Sequence, residues 1–138
     1  MPVIAAIDRS DRAERVIEAA RTLAVNYEVA LHVVHVGKLT VGHVLTGTEG
    51  TNPGSEAGRL AAAEFAAEVA GSVEDVEGFE AVGLVGDPAT QILEYAHDQE
   101  AEFIVVSGRR RTRLDQALFG GVTQQLVLNA DRPVVSVP

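Results

Sequence analysis

The chain has 138 residues, a formal net charge of −9 and no cysteine. Its length suits a single domain covering residues 1–138. The absence of cysteine excludes disulfides and thiol catalysis, as is usual for a cytoplasmic protein. The negative charge repels nucleic acid and anionic membranes at long range, and no apolar stretch is long enough to span a bilayer. We therefore expect a cytoplasmic protein that binds neither nucleic acid nor membrane.

The first predicted elements are a strand and a helix. Val3 to Asp8 is a short apolar run and predicts a buried strand. Ser10 and Asp11, with Glu14 three residues after Asp11, resemble the capping box that starts a helix. The helix is predicted from apolar residues at helical spacing, which are Ala13, Val16, Ile17, Ala20, Leu23 and Ala24.

The second strand is predicted over Val29 to Val36, which is apolar except for two histidines. A run that is apolar on both faces is typical of a parallel sheet covered on both sides. His32 and His35 differ by three positions, so they point to opposite faces of the strand and cannot share one metal ion. The glycine-rich segment from Gly37 to Ser55 is unusually long for a connection in a compact domain and is predicted to be a flexible loop.

The rest of the chain continues to alternate helices and strands. The predicted elements are a helix over Glu56 to Ala70, a strand over Ala81 to Val85, a helix containing Ile92, Leu93 and Ala96, a strand over Phe103 to Val106, a helix over Gly121 to Asn129 and a strand over Val134 to Val137. Asp87 is placed to cap the third helix, with Pro88 as its first residue. This order predicts an α/β fold with a single doubly wound, open sheet of five parallel strands flanked by four helices.

Such a sheet binds ligands at the carboxyl ends of its strands, where the strand order reverses. Asp8 and Val36 end the first and second predicted strands, and Ser107 directly follows the fourth. These three positions therefore mark the predicted ligand site.

The segment after the fourth strand has the features of an altered phosphate-binding loop. Four arginines are followed by a glycine pair at a predicted helix start, so guanidinium groups and free backbone N–H groups could converge on one anion. These residues are Ser107, Gly108, Arg109, Arg110, Arg111, Arg113, Gly120 and Gly121. The loop is also the basic focus of an acidic chain, because residues 107–138 carry five basic and two acidic side chains, against six and 18 in residues 1–106.

Five stretches of the sequence, in order from end to end, resemble the universal stress protein family. They are VIAAIDRS at residues 3–10, LHVVHV at 31–36, GDPA at 86–89 leading to Ile92 and Leu93, AEFIVV at 101–106, and NADRPVVSV at 129–137. No single stretch is specific, but the complete ordered set is. The resemblance implies a five-stranded open sheet of the adenine nucleotide alpha hydrolase-like type, frequent homodimers and, in one subclass, an ATP site.

The ATP site of that subclass uses the aspartate of the first strand, the backbone at the end of the second and the phosphate motif G-x2-G-x9-G-[S/T]. In this chain the three motif glycines fall on Ser107, Arg110 and Gly120, and the hydroxyl residue falls on Gly121, so the motif is degenerate. The arginines can compensate by bidentate contacts to phosphate. The implied site, for ATP or AMP with or without Mg²⁺, comprises Ile7, Asp8, Ser10, Val36, Ser107, Gly108, Arg109, Arg110, Arg111, Gly120, Gly121, Val122 and Thr123.

Several of these residues also have a purely structural interpretation. Asp8 can accept hydrogen bonds from turn amides, and Ser10 is more often a turn or capping residue than a ligand contact. The run from Arg109 to Arg113 can be a solvated loop that lightens a negative surface. Lys38, next to the glycine-rich segment, is expected only to be exposed.

The sequence contains no pattern typical of an enzyme. A Walker lysine motif, a nucleophile elbow and paired carboxylates are all missing, so no catalytic residue and no metal ligand is assigned. Three functions remain open. We favour a regulatory protein of the stress response that binds an adenine nucleotide; the alternatives are a dimeric interaction module without nucleotide and a weak nucleotide hydrolase.

The last strand is the expected homodimer contact. In the family it lies on a sheet edge, where unpaired backbone groups invite another chain. The resemblance thus implies pairing of Val134, Val135, Ser136 and Val137 with the same strand of a second copy. The acidic excess with a single lysine is similar to that of proteins from salt-loving, haloarchaeal organisms, so we also expect halophilic adaptation.

Overall fold

The computed structural model describes residues 1–38, 53–108 and 121–138, and residues 39–52 and 109–120 lie outside these ranges. No helix in the described ranges is both long and apolar enough to cross a membrane. The described elements are β1 (Val3–Ile7), α1 (Ala13–Tyr27), β2 (Leu31–Gly37), α2 (Pro53–Ser72), β3 (Glu80–Val85), α3 (Pro88–Asp98), β4 (Phe103–Ser107), α4 (Val122–Asn129) and β5 (Val134–Val137).

The five strands form one parallel sheet in the order β3-β2-β1-β4-β5. The chain winds outwards from β1 through β2 to β3 and then returns to place β4 on the other side of β1. Within the described ranges, this confirms the predicted doubly wound sheet of five parallel strands flanked by four helices. Because the winding direction reverses between β1 and β4, the carboxyl ends of these strands form the crevice in which such sheets bind ligands.

Side chains of the strands alternate between two apolar cores, one on each face of the sheet. One core packs α1 and α2 against the sheet and includes Val3, Ala5 and Ile7 of β1. The other packs α3 and α4 and includes Ile4 of β1 and Leu126 of α4. This two-sided burial explains why the strands appear in the sequence as nearly continuous apolar runs.

The start of α1 differs from the prediction, because the residues before it form a turn. Asp8 Oδ1 accepts hydrogen bonds from the backbone N–H of Ser10 (2.9 Å) and from its hydroxyl (2.5 Å). Ser10 Oγ in turn accepts from the backbone N–H of Arg12 (3.2 Å). Arg12 is the N-cap of α1, and within the described residues its side chain makes no capping hydrogen bond. The predicted capping box ending at Glu14 is therefore wrong, since these polar side chains satisfy turn amides instead.

The start of α3 is as predicted. Asp87 is the N-cap, and its Oδ2 accepts hydrogen bonds from the backbone N–H (3.1 Å) and hydroxyl (2.7 Å) of Thr90. These bonds favour the charged carboxylate and hold the pKa of Asp87 below its usual value. Pro88 occupies the first helical position, where its missing N–H removes no helical bond.

β2 begins two residues later than predicted, at Leu31 instead of Val29. The end of α1 accounts for the shift. Glu28 caps the helix in a left-handed conformation, and the N–H of Val29 donates to the carbonyl of Ala24 (3.0 Å). Val29 therefore belongs to the helix-terminating turn and is not free to join the sheet.

The predicted loop from Gly37 to Ser55 overlaps regular structure at both ends. Gly37 pairs with Val85 as the last residue of β2, and α2 begins at Pro53. The predicted bounds were therefore too wide, because glycine content alone does not end a strand or exclude the first turn of a helix. The middle of the segment, residues 39–52, lies outside the described ranges.

Three non-glycine residues of the described ranges have a left-handed backbone, and all three are acidic. Their φ angles are 54° at Glu28, 62° at Asp75 and 51° at Glu100. Glu28 directly follows α1 and Glu100 closely follows α3. Glycine is the usual residue in this conformation at a helix end, since it has no Cβ to clash with the backbone.

The contact between α2 and β3 requires a glycine at position 83. A Cβ at Gly83 would lie 1.9 Å from the carbonyl oxygen of Arg59 and 2.4 Å from the backbone nitrogen of Ala63. Both atoms belong to the backbone of α2, so no side-chain rotation could relieve the clash. Gly83 therefore lets the helix lie directly on the strand, which fixes the position of α2 relative to the sheet.

Candidate functional site

A cavity of about 490 Å³ opens at the carboxyl ends of β1, β2 and β4. It lies at the switch point of the sheet, and its volume is within the range of roughly 300–1,000 Å³ that is usual for small-molecule pockets. The cavity is lined by Ala6, Ile7, Asp8, Arg9, His35, Val36, Gly37, Lys38, Pro88, Ile92, Val106, Ser107, Val122 and Thr123.

The floor of the cavity is apolar. Ala6, Val36 and Val106 come from the three strands and Ile92 from α3, and all four belong to the core beneath α3 and α4. The floor of the cavity is therefore the end of this core that is not covered by other residues of the described ranges. Such a surface suits a flat heteroaromatic ring, whose faces gain from leaving water.

Polar side chains form the rim of the cavity. Asp8, Arg9 and Lys38 are exposed, whereas Ser107 and Thr123 are half-buried. An apolar floor with a few polar groups around it is the usual arrangement of a small-molecule site, in which the polar groups fix the orientation of the ligand.

The carboxylate of Asp8 is oriented by the turn described above. Both hydrogen bonds from Ser10 go to Oδ1, and Oδ2 has no hydrogen-bond partner among the described residues. A fixed carboxylate with one free oxygen can accept a hydrogen bond from an amino or hydroxyl group of a ligand. Ser10 thus positions Asp8, in agreement with its interpretation as a turn residue, and is not itself a lining residue.

The end of β4 is tied to the two elements that follow it in the chain. Thr123 Oγ1 donates to the carbonyl of Ser107 (2.8 Å), and the N–H of Gly108 donates to the carbonyl of Val137 (2.7 Å). A Cβ at Gly108 would lie 1.9 Å from Ser136 Oγ. Gly108 therefore lies directly beside β5, and it is not among the residues that line the cavity.

The amino end of α4 also faces the cavity, through Val122 and Thr123. Gly121 is the N-cap, the first turn contains no acidic residue, and among the described residues no side chain caps this end. The first intrahelical bond is that from the N–H of Gln125 to the carbonyl of Gly121 (3.2 Å). Among the described residues, the amides before Gln125 in α4 have no acceptor, and the helix dipole favours an anion at this end.

The cavity brings together six of the residues that the sequence predicted for the site. These are Ile7, Asp8, Val36, Ser107, Val122 and Thr123. Three more lie beside it without lining it, namely Ser10, Gly108 and Gly121. The predictions for Arg109, Arg110, Arg111 and Gly120 fall outside the described residues.

Sequence reasoning did not assign two charged residues of the rim to the site, Arg9 and Lys38. Each lies just beyond the carboxyl end of a strand, β1 or β2, which is the signal that could have identified it. Lys38 was expected only to be exposed, and it is exposed, but at the cavity.

Arg9 rests on an aromatic ring. Its guanidinium carbon lies 4.4 Å from the centroid of Phe65, which belongs to α2. The imidazole of His35 packs against the same phenyl ring, with 4.5 Å between the ring centroids. His35 is itself fixed, because its Nδ1–H donates to the carbonyl of Ile7 (2.9 Å). The three side chains connect the backbone of β1 to the rim of the cavity.

His32 faces α3, on the opposite side of the sheet from His35, as predicted. Its Nε2–H donates to Glu80 (3.0 Å), and its Nδ1 accepts from the hydroxyl of Tyr95 (2.7 Å). Burial lowers the pKa of His32 more than Glu80 raises it, so the neutral ring is favoured. Burial also raises the pKa of Tyr95 to about 12, which keeps this hydroxyl protonated as a donor. No group of three possible metal ligands occurs in the described part of the chain.

Comparison with known proteins places this arrangement in one family. The profile described as "Universal stress protein family" matches residues 1–138. The stress response protein NhaX of Bacillus subtilis (strain 168) is 41% identical over 54 residues, which are 39% of this chain and 32% of that protein. The matched part thus spans about a third of the length of that relative.

Solved structures of the family have the same fold. A universal stress protein from Archaeoglobus fulgidus, in complex with dAMP, is 25% identical with a TM-score of 0.63, covering 100% of this chain and 98% of that one. A universal stress protein in complex with cAMP is 19% identical with a TM-score of 0.71, covering 99% and 95% of the two chains. Since the family profile also covers the whole sequence, the chain belongs to the universal stress protein family.

Proposed function

We propose that the cavity binds an adenine nucleotide and that the protein acts as a nucleotide-responsive regulator in the stress response. The observation that carries this proposal is the cavity itself, with its apolar floor and fixed Asp8 at the point where the winding of the sheet reverses. The family relative from Archaeoglobus fulgidus, solved in complex with dAMP, supports the same class of ligand.

The chemistry of the cavity fits the parts of an adenine nucleotide. The base would lie on the apolar floor, and the free oxygen of Asp8 would accept from the amino group of the base or a ribose hydroxyl. The amides at the start of α4 would receive phosphate. Arg109, Arg110 and Arg111 lie outside the described residues, and bidentate contacts from them to phosphate stay a prediction.

The proposal is tested by calorimetric titration with AMP and ATP, with and without Mg²⁺. We expect Asp8→Asn to weaken binding by about tenfold or more, because a hydrogen bond to a charged group contributes about 1.5–3 kcal/mol. The asparagine keeps an oxygen that can accept from Ser10, so the turn is preserved. Asp11→Asn is the matched control, since Asp11 is an exposed carboxylate of the same turn that does not line the cavity.

Two results would contradict this function. Unsubstituted protein that binds no adenine nucleotide, and carries none in mass spectrometry of the purified sample, would leave the nucleotide-free interaction module. Equal losses of nucleotide affinity in Asp8→Asn and Asp11→Asn would show that the negative charge of the turn affects binding and that Asp8 makes no specific contact with the ligand.

We further propose that the protein forms a homodimer through β5. This strand is an edge of the sheet, and its valines at 134, 135 and 137 are only partly buried. Val127 and Leu128 of α4, which packs beside β5, are 57% and 71% exposed. Two copies of β5 paired antiparallel about a two-fold axis would satisfy both edges and cover apolar surface. Val135→Lys should then give a folded monomer in sedimentation equilibrium, whereas an unchanged dimer would exclude β5 as the contact.

A further inference from the structure

We propose that Arg9, held on Phe65, and Lys38 bind the phosphate of the ligand from the rim above β1 and β2. This inference rests on the proposed nucleotide-binding function and adds a second group of phosphate contacts to it. The altered glycine motif begins at Ser107, the last residue of β4, which lies on the opposite side of β1 from β2. The two cations therefore supply positive charge where the family phosphate motif has no residue.

The position of the two cations is the first reason. Arg9 comes two residues after the end of β1, and Lys38 directly follows β2. The two strands are neighbours, with Ile7 in register with His35, and both cations line the cavity. The chain has a net charge of −9, but this rim carries two cations against the single carboxylate of Asp8. The resulting local excess of positive charge favours an anionic ligand.

The support under Arg9 is the second reason. A guanidinium at 4.4 Å from the centroid of an aromatic ring is held by its face, while the N–H donors at its edge stay free to bind. Phe65 is in turn packed against His35, which is bonded to the backbone of β1. An arginine ordered in advance loses less side-chain entropy when it binds, so it contributes more to affinity than a mobile one.

The lack of internal partners is the third reason. Arg15 and Arg21 donate to backbone carbonyls of Pro138 and Asp75, and Arg132 pairs with Asp131. Within the described ranges, neither Arg9 nor Lys38 has a carboxylate in ion-pair distance or a hydrogen-bond acceptor. Arg12 and Arg59 also lack such partners in these ranges, but they do not line the cavity. The donors of Arg9 and Lys38 are thus unoccupied by the described residues, and phosphate oxygens match the fork of a guanidinium.

The test compares AMP with adenosine, which differs from AMP only by lacking the phosphate. Calorimetric affinities are measured for the unsubstituted protein, for Arg9→Gln and for Lys38→Gln. We expect Arg9→Gln to weaken AMP binding by about tenfold and adenosine binding by less than about twofold, because only the phosphate contact is lost. Lys38→Gln should act in the same direction but less, because an unsupported ammonium on a flexible stem loses more entropy on binding.

Two further variants separate the role of Arg9 from general effects of charge and folding. Arg12→Gln removes the same charge from the same turn, outside the cavity, and should leave both affinities unchanged. Phe65→Leu keeps Arg9 but removes its aromatic support, and should weaken AMP binding by about threefold. Circular dichroism and thermal melts establish that each variant is folded.

The outcomes that overturn this inference differ from those that overturn the nucleotide site. Unchanged AMP affinity in Arg9→Gln, with AMP bound by the unsubstituted protein, would contradict the inference and leave the nucleotide site intact. Equal losses for AMP and adenosine would mean that Arg9 contacts the nucleoside, which also contradicts it. Failure of the unsubstituted protein to bind either ligand would overturn the proposed function and this inference with it.

Discussion

His32 and His35 stand three residues apart in β2, are equally buried at 7% exposure, and occupy opposite faces of the sheet. The contacts of His32 end within the fold, at Tyr95 and Glu80. Those of His35 continue through Phe65 to Arg9, at the rim of the cavity. Burial therefore does not distinguish a structural histidine from one that supports a binding site. The two histidines differ in whether the side chains that they contact reach the cavity.

The largest effect is expected from Gly83→Ala. This variant tests whether the position of α2 keeps Phe65 in contact with His35 and Arg9. The new Cβ would meet backbone atoms of Arg59 and Ala63. The helix must then move, which should reduce the free energy of unfolding by about 3 kcal/mol and weaken nucleotide binding through Phe65. Urea denaturation and calorimetry measure the two effects.

Gly71→Ala is the matched control, since a Cβ there has no neighbour within 4 Å. Gly71 lies in α2, the helix that Gly83 contacts. Its replacement by alanine should leave stability unchanged or raise it by up to about 1 kcal/mol, because alanine favours helix. A similar loss of stability in both variants would contradict a specific role for the contact between Gly83 and the backbone of α2.

Tyr95→Phe tests the hydrogen bond between Tyr95 and His32 and should have the next largest effect. The variant leaves Nδ1 of a buried histidine without its donor, which should reduce stability by about 1–2 kcal/mol. Nucleotide affinity should not change, since the His32 contacts do not reach the cavity. Tyr27→Phe, at an exposed tyrosine, should alter neither quantity. A loss of affinity in Tyr95→Phe would contradict the separation of the two faces.

The pH dependence of stability sharpens the comparison further. The folded-state pKa of His32 lies below the ordinary 6.5, chiefly because of burial, with the N-terminal amino group also lowering it and Glu80 opposing. Below pH 6.5 the unfolded chain therefore binds a proton that the folded chain resists. The stabilisation is complete above pH 6.5 and is lost as the pH falls towards the folded-state pKa. Urea midpoints measured from about pH 7.5 to about pH 5 should decrease accordingly.

His32→Gln should flatten this pH profile. If the slope survives in His32→Gln, the proton is taken up elsewhere and the neutral state of His32 does not stabilise the fold.

Salt should have the smallest effect and should act in opposite directions on the fold and on the site. Screening relieves repulsion among 20 acidic side chains, so molar KCl should raise the free energy of unfolding by up to about 1 kcal/mol. AMP affinity should fall, since the same screening weakens the contacts of Arg9 and Lys38. A melting temperature that does not depend on salt would count against halophilic adaptation.

The central strands β1, β2 and β4 could be predicted from the sequence because they are buried on two faces, which leaves a continuous apolar run. Asp87 was also identified, since its bonds to Thr90 are local. The capping box failed because the same residue types satisfied the turn instead, through Asp8 and Ser10. Local patterns therefore predicted elements well and the choice between competing hydrogen bonds poorly.

The candidate site was predictable only where its residues end strands or begin a helix. Asp8, Val36 and Ser107 follow from topology alone. The proposed role of Arg9 depends on its contact with Phe65, a residue of α2 that is distant in the sequence. Gly83 likewise matters because of the backbone of α2. No local pattern encodes such contacts, which arise only when the helix is packed on the sheet.

The acidic left-handed turns at Glu28, Asp75 and Glu100 have a consequence for engineering. An L-residue in this conformation costs roughly 1–2 kcal/mol relative to its preferred backbone, and glycine avoids that strain. These turns carry surface charge where the backbone would favour glycine. Replacing Glu28, Asp75 and Glu100 with glycine is therefore a route to a more thermostable variant. It removes three negative charges and leaves the core and the cavity unaltered.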